Sequence, residues 1–312
     1  MLPFRLQPEF RGRVWGGRRL QPEASHPIGE AWIVYERNLV AEGPHAGRTL
    51  GALAAAEGER LLGKRPLRAT GLRFPLLIKL LDCEDWLSVQ VHPNDEQAAR
   101  LEGPGHFGKT EAWHLLEARA EARLIAGLRA GTSAADFGEA VRGGTLAEHV
   151  RYLDVHAGET VMMRAGTVHA LGPGLLLYEI QQTSDLTYRV FDWNRPASAG
   201  RELHIEKSLA VTDVSAVGRA EPLPELRDGA VHTLTTCEYF TLGLLRAASL
   251  PVALHTRGES FHALTVTEGR VRAEGEGWSE PLRKFETLIV PAVCGAYRVV
   301  PLEASRVLKA SA

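Results

Sequence analysis

The stretch Trp86-Leu-Ser-Val-Gln-Val-His-Pro-Asn-Asp95 decides how this chain is read. It starts as a short apolar strand and stops at Pro93, with Asn94 placed to cap a helix over 95–101. Side chains on a strand alternate between faces, so Ser88, Gln90 and His92 point the same way. The capped helix fixes the strand exit, and with it the direction of His92. At and just before the next strand-like run, 110–117, the residues Lys109, Glu111 and Trp113 likewise share one face. A carboxylate turned into an apolar interior is costly unless a cation neutralises it or it binds a proton. A metal ion held by His92 and Glu111 removes that cost, and His169, after Ala165-Gly166-Thr167, offers a third ligand from a separate strand. Any one of these residues is ordinary in a chain with 12 histidines. Their shared inward parity on neighbouring strands is what points to a metal.

Outward from this segment the chain reads as mainly β. Runs at 75–81, 86–91, 110–117, 122–126, 160–163, 167–171, 175–181 and 186–193 are short, apolar or alternating, and separated by turn residues. Gln182-Thr-Ser-Asp185 is expected to be a hairpin turn. A helix is expected over 49–62, with Thr49 as N-cap and Gly63 as its end. A helical insert is expected at 132–141 and 146–151, the latter behind a Thr145-x-x-Glu148 capping box. A short helix at 205–211 leads to 213–228, rich in Pro, Gly and charge, and beyond it the chain is again strand-like. Glu159-Thr-Val-Met-Met-Arg-Ala165 aligns without gaps with Glu286-Thr-Leu-Ile-Val-Pro-Ala292, which suggests two similar β-barrels. In that register His169 falls opposite Ala296, so the metal reading applies to the first barrel only. The expected division is 1–215 with the helical insert and the chemistry, and 216–312 without metal ligands.

Composition bounds the classes. The 312 residues are 45% hydrophobic and 24% charged, as in a globular protein. A formal net charge of -2 argues against a nucleic-acid partner. Cys83, Cys237 and Cys294 form no CxxC pair, and an odd, unpatterned count fits a reducing compartment. No apolar run is long enough to span a bilayer, and the N-terminus lacks a secretory pattern, so a cytoplasmic protein is the expectation.

The segments Trp86–Asp95 (WLSVQVHPND), 108–116 (GKTEAWHLL), 165–171 (AGTVHAL) and 179–195 (EIQQTSDLTYRVFDWNR) together resemble type I mannose-6-phosphate isomerase in its short bacterial form. Trp15-Gly-Gly17 and Ile28-Gly-Glu-Ala-Trp32 resemble it too, and the likeness runs in order from about Trp15 to Lys207. The resemblance implies two cupin-like (jelly-roll) β-barrels, with one zinc ion per chain on His92, Glu111 and His169. It adds Gln90 to the metal shell by analogy with longer members. The family's catalytic arginine matches Arg189, the aspartate four residues earlier matches Asp185, and the active-site lysine matches Lys109. One departure is Gly108, where some longer members carry a histidine; a proton-transfer role for that histidine does not apply here.

The implied reaction interconverts mannose 6-phosphate and fructose 6-phosphate through a cis-enediol. Charge developing on oxygen as the proton leaves carbon calls for a redox-inert Lewis acid and for a permanent cation, the role of Arg189. Asp185 and Lys109 are both candidates for the base. The substrate's phosphate calls for cations and donors: Lys109, Arg189, Lys207 and the hydroxyl of Ser88. Lys207 is equally readable as a solvated helix residue, and Arg189 as the partner of a carboxylate such as Asp192. Trp15, beside two glycines in an expected loop, is placed in the cleft, whereas Trp32 and Trp113 are read as packing. Two other classes compete. A non-haem iron oxygenase uses the same two histidines and carboxylate but has no need of phosphate-binding cations. A non-catalytic sugar-phosphate-binding barrel has no need of a metal beside an acid/base group and an arginine. The partner is a small sugar phosphate, and monomer and homodimer both remain open.

Overall fold

The computed structural model describes residues 1–195 and 201–312. The fold is mainly β, and its contacts group the chain into two compact units. One consists of Phe10–Ala31 and Leu80–Pro222; the other of Met1–Glu9, Trp32–Lys79 and Leu223–Ala312. A single cut at 215 therefore differs from the observed path. Residues 1–9 and 32–79 fold with the C-terminal strands, because Phe4–Arg5 pairs with Thr287–Val290 and Gly63 lies against Glu259. Among the described residues no helix is long and apolar enough to cross a membrane.

The unit containing Leu80–Pro222 pairs two sheets. The five-stranded sheet runs Tyr188–Phe191, Val89–Val91, His169–Leu171, Arg123–Leu128, Val150–Asp154. The facing sheet is centred on Glu111–Ala118, with Thr160–Met163 on one side and Leu175–Gln182 on the other. Between them lies a core of Trp15, Trp113, Leu115, Leu124, Ala126, Met163, Leu171 and Leu177. The alternate residues of the five-stranded sheet, Val89, Val91, Ile125 and Ala170, face outward and are equally buried. The helices Ala134–Gly143, Leu146–His149 and Ile205–Val211 cover them with Phe137, Leu146 and Val211. A sheet apolar on both faces demands such a cover. The helical insert thus completes the sheet that carries His169.

Local signals account for many of the ends. Thr49 Oγ1 accepts from Ala52 N, and Asn94 forms a reciprocal box with Gln97. The 49–62 segment is not one helix: it breaks at Gly58, whose φ of 49° favours glycine, into Leu50–Glu57 and Glu59–Leu62. The box expected at Thr145 is also absent. Thr145 makes no side-chain cap; Ser133 and Asp136 form the insert's reciprocal box.

The other unit repeats the plan. His262–Glu268 lies between Thr287–Val290 and Ser305–Ser311, as Glu111–Ala118 lies between Thr160–Met163 and Leu175–Gln182. Ala296–Pro301 lies between Val252–His255 and Arg270–Gly275, as His169–Leu171 lies between Val89–Val91 and Arg123–Leu128. The two copies of the repeat occupy matching places. Glu159 accepts from the backbone N–H of His156, and Glu286 from that of Arg283. Glu111 pairs with Met163 and His262 with Val290, so these two residues correspond. The 3-10 turn Ala292–Cys294 lengthens the following connection. In consequence Tyr297, with Val299, faces the core, and Tyr297 rather than Ala296 takes the inward position of His169.

Candidate metal centre

Each ligand is aimed by its own piece of chain. His92 leaves Val89–Val91 just before Pro93, and its carbonyl accepts from Gly166 N at 2.8 Å. Glu111 opens its strand, where Lys109 N donates to Pro93 O at 2.9 Å and Thr110 N to Gln182 Oε1 at 2.9 Å. His169 opens the middle strand of the five-stranded sheet, in register with Gln90 and Ala126. The three side chains are about 1% exposed and their ligand atoms lie within 4.8 Å of one another.

The electrostatics define what the cluster lacks. His169 Nδ1 is 2.8 Å from the carbonyl of Thr167, which accepts only, so that nitrogen carries the proton. The Nε2 of the neutral ring is then a bare lone pair, 3.3 Å from Glu111 Oε1, with no hydrogen-bond partner among the described residues. Two acceptors face each other out of water, and a cation between them resolves the conflict. Lys109, buried, supplies one positive charge, its Nζ 2.8 Å from Glu111 Oε2 and 3.0 Å from His92 Nε2. Burial pushes the Glu111 carboxyl up, but neighbouring positive charge, that of Lys109 foremost, holds the group well below the usual carboxylate range. Two imidazole nitrogens and a carboxylate are a donor set suited to a divalent zinc-like ion, so the residues present fit one. The ring of Trp113 meets His169 edge-on at 5.4 Å, and its indole N–H donates to the buried Glu179 at 2.9 Å. Glu179 was not singled out from sequence. Its signal was its inward parity with Gln181 in the otherwise apolar LLLYEIQQ strand.

The remaining expected residues divide. Arg189, half-buried on Tyr188–Phe191, pairs in register with Gln90, which pairs with His169, so the three form one inward row across adjacent strands. Ser88 joins them, its hydroxyl accepting from Arg189 Nε at 3.2 Å. Asp185 is exposed, on the connection that leaves the facing sheet. That connection is no hairpin: Leu175–Gln182 and Tyr188–Phe191 lie in different sheets. Lys207 is ion-paired with Glu102 at 2.7 Å, with its side chain 41% exposed. Trp15 is a core residue on Glu9–Gly17, 3% exposed, and not a loop residue. Its two glycines serve close approach: a Cβ at Gly16 would meet Gly29 N at 2.5 Å, and one at Gly17 would meet Asp82. Asp192 is paired with Arg201 and Arg195 rather than with Arg189.

A jelly-roll sandwich with two histidines and a carboxylate converging in its interior defines a cupin-like protein with a candidate metal centre. The profile described as Phosphomannose isomerase type I, catalytic domain, matches residues 4–110. The chain is 33% identical to Mannose-6-phosphate isomerase ManA of Bacillus subtilis, over 95% of each chain. It is 33% identical to Mannose-6-phosphate isomerase of Streptococcus mutans, over 93% of this chain and 92% of that one. Among solved structures, the mannose 6-phosphate isomerase from Bacillus subtilis superposes with a TM-score of 0.85 at 29% identity, covering 99% of both chains. The chain belongs to the type I phosphomannose isomerase family.

Proposed function

We propose that this chain is a zinc-dependent isomerase that interconverts mannose 6-phosphate and fructose 6-phosphate through a cis-enediol. The observation that carries the reading is the buried meeting of His92, Glu111 and His169 beside Lys109, with Arg189 and Ser88 in the adjoining row. Zinc bound by those three residues, with Gln90 or water completing the shell, supplies Lewis acidity toward the sugar oxygens. The chain's own residues do the rest. The guanidinium of Arg189 stabilises negative charge on the enediolate oxygen, and it stays cationic even though burial and the neighbouring Arg201 lower its pKa. Of the two groups expected to carry the proton between C1 and C2, Lys109 stands inside the cluster and Asp185 on the exposed connection. We assign the transfer to Lys109 acting as the neutral amine. With a dication held on His92, Glu111 and His169, the positive charge beside Glu111 would come from the metal. The amine lone pair would then take the proton from one carbon and return it to the other. Arg189, with the Ser88 hydroxyl beside it, gives this end of the sandwich the positive charge and the donor that a phosphate dianion needs.

The test is a coupled assay for fructose 6-phosphate formed from mannose 6-phosphate, before and after chelation, with zinc add-back. Turnover lost on chelation and restored by zinc is expected. Turnover unaffected by complete metal removal would reject the zinc reading. Oxygen consumption with bound iron would favour the oxygenase class, and tight sugar-phosphate binding without turnover the non-catalytic one.

A further inference from the structure

The seat of Arg189 has two walls, and one carboxylate ties them together. On one side, Arg189 Nη1 donates to the carbonyl of Glu202 at 2.8 Å. The same stretch is laced to the Arg189 backbone: His204 N donates to Arg189 O at 2.8 Å, and Arg189 N to His204 Nδ1 at 3.3 Å. On the other side, Arg189 Nε donates to Ser88 Oγ. Asp192, 5% exposed, joins both walls. Arg201, which precedes Glu202, donates through Nε and Nη2 to the two Asp192 oxygens at 2.5 and 2.8 Å. Arg195 donates to Asp192 Oδ1 at 3.2 Å. It also reaches the carbonyl of Trp86 and Asp85 Oδ2, each at 2.7 Å, just ahead of Ser88.

We propose that Asp192 is the positioning residue for Arg189, acting through Arg201 on the Glu202 wall and through Arg195 on the Ser88 wall. This rests on the reading of Arg189 given above. A two-oxygen carboxylate with guanidinium groups on both sides is a rigid clamp, and Arg201 engages it with a planar fork. The clamp stays charged: burial raises the Asp192 carboxyl, but the hydrogen bond and charge of Arg201, with Arg195, outweigh that and hold it below its ordinary value. The cleft of about 520 Å³ beside it is lined by Asp192, Arg195, Arg201 and Glu202. Without the carboxylate, both guanidinium groups have open space to turn into, and the carbonyl of Glu202 leaves Arg189. A misplaced catalytic cation costs turnover before it costs binding.

The experiment measures kcat, KM and metal content for zinc-loaded Asp192→Asn, Arg189→Ala and the double variant, with mannose 6-phosphate as substrate. Asp192→Asn is expected to lower kcat by about ten- to a hundredfold, with metal content unchanged. In the Arg189→Ala background the same change is expected to alter kcat by less than about twofold, because its target is gone. Additive losses in the double variant, or a normal kcat in Asp192→Asn while Arg189→Ala is crippled, would overturn the positioning role and leave Arg189 standing. A near-normal kcat in Arg189→Ala would overturn the reading of Arg189, and the positioning role with it. If Asp192→Asn does not fold, Arg201→Lys, which keeps the charge but cannot span both oxygens, must show the same non-additive pattern.

Discussion

In one sandwich Glu111 opens a strand and faces the Nε2 of His169 at 3.3 Å; in the other, His262 opens the corresponding strand and its Nδ1 lies 2.6 Å from the hydroxyl of Tyr297. The strand plan is shared, and so is the inward direction of the two side chains. The chemistry is opposite. A carboxylate facing an imidazole lone pair is two acceptors without a donor, and it draws in a cation. An imidazole facing a phenol is a donor and an acceptor, and needs nothing further. Burial is the main reason the His262 pKa falls to about 3, helped by the charges of Lys309 and His255, so that ring is neutral. Two matched positions in a jelly roll can thus hold a metal centre or a self-satisfied core pair, depending on which residues occupy them.

The comparison breaks first at the ligands. His92→Ala or His169→Ala should abolish bound zinc and lower kcat/KM by roughly a thousandfold or more, whereas Tyr297→Phe should leave metal content at the wild-type level. Metal content and turnover measured side by side decide it, and a zinc-replete, active His169→Ala protein would end the distinction. The next effect concerns the other sandwich and is read in stability. Between about pH 3 and the ordinary histidine value of 6.5, the unfolded chain binds a proton at His262 that the folded chain does not. Stability from this group is complete above that upper value and is lost as pH falls toward 3, by up to a few kcal/mol. Denaturant midpoints followed across that range should fall less steeply for His262→Gln, and parallel slopes would contradict the assignment. The smallest effect lies within the sandwich of His92, Glu111 and His169. Lys207, already paired with Glu102, should tolerate alanine with kcat/KM within about twofold and stability within about 1 kcal/mol. A KM for mannose 6-phosphate that rises by about tenfold would instead place Lys207 on the phosphate.

Several features of the site were legible because they are local. The alternation that put Ser88, Gln90 and His92 on one face, and Glu111 with Trp113 on another, is a property of any strand, and the caps at Thr49 and Asn94 need only neighbouring backbone. The errors share a cause. Gln182-Thr-Ser-Asp185 has the chemistry of a turn, but a turn re-entering the same sheet and a crossing to the opposite one use the same residues. Trp15 was expected in a loop because glycines follow it, yet those glycines answer to close backbone and side-chain approach from distant residues. Gly108 is of the same kind. A Cβ there would lie 2.5 Å from the carbonyl carbon of Asn94, so the absence of a side chain at this point follows from packing. Arg201 and Asp192 carried no periodic signal, because a clamp between a strand end and the segment after it leaves no repeat in the sequence.

By itself, the sequence determined that Ser88, Gln90 and His92 share one face and Glu111 and Trp113 another, that Thr49 and Asn94 cap helices, and that the inward set includes two imidazoles and a carboxylate. Only the tertiary structure decided that Tyr188–Phe191 crosses to lie beside Val89–Val91, setting Arg189 in the row of Gln90 and His169, and that Tyr297 takes the inward place in the second sandwich. Alternation and capping are enforced within a few residues by backbone sterics and local hydrogen bonds. Strand partnership is set by which buried surfaces match across distant parts of the chain, and no short segment carries that information.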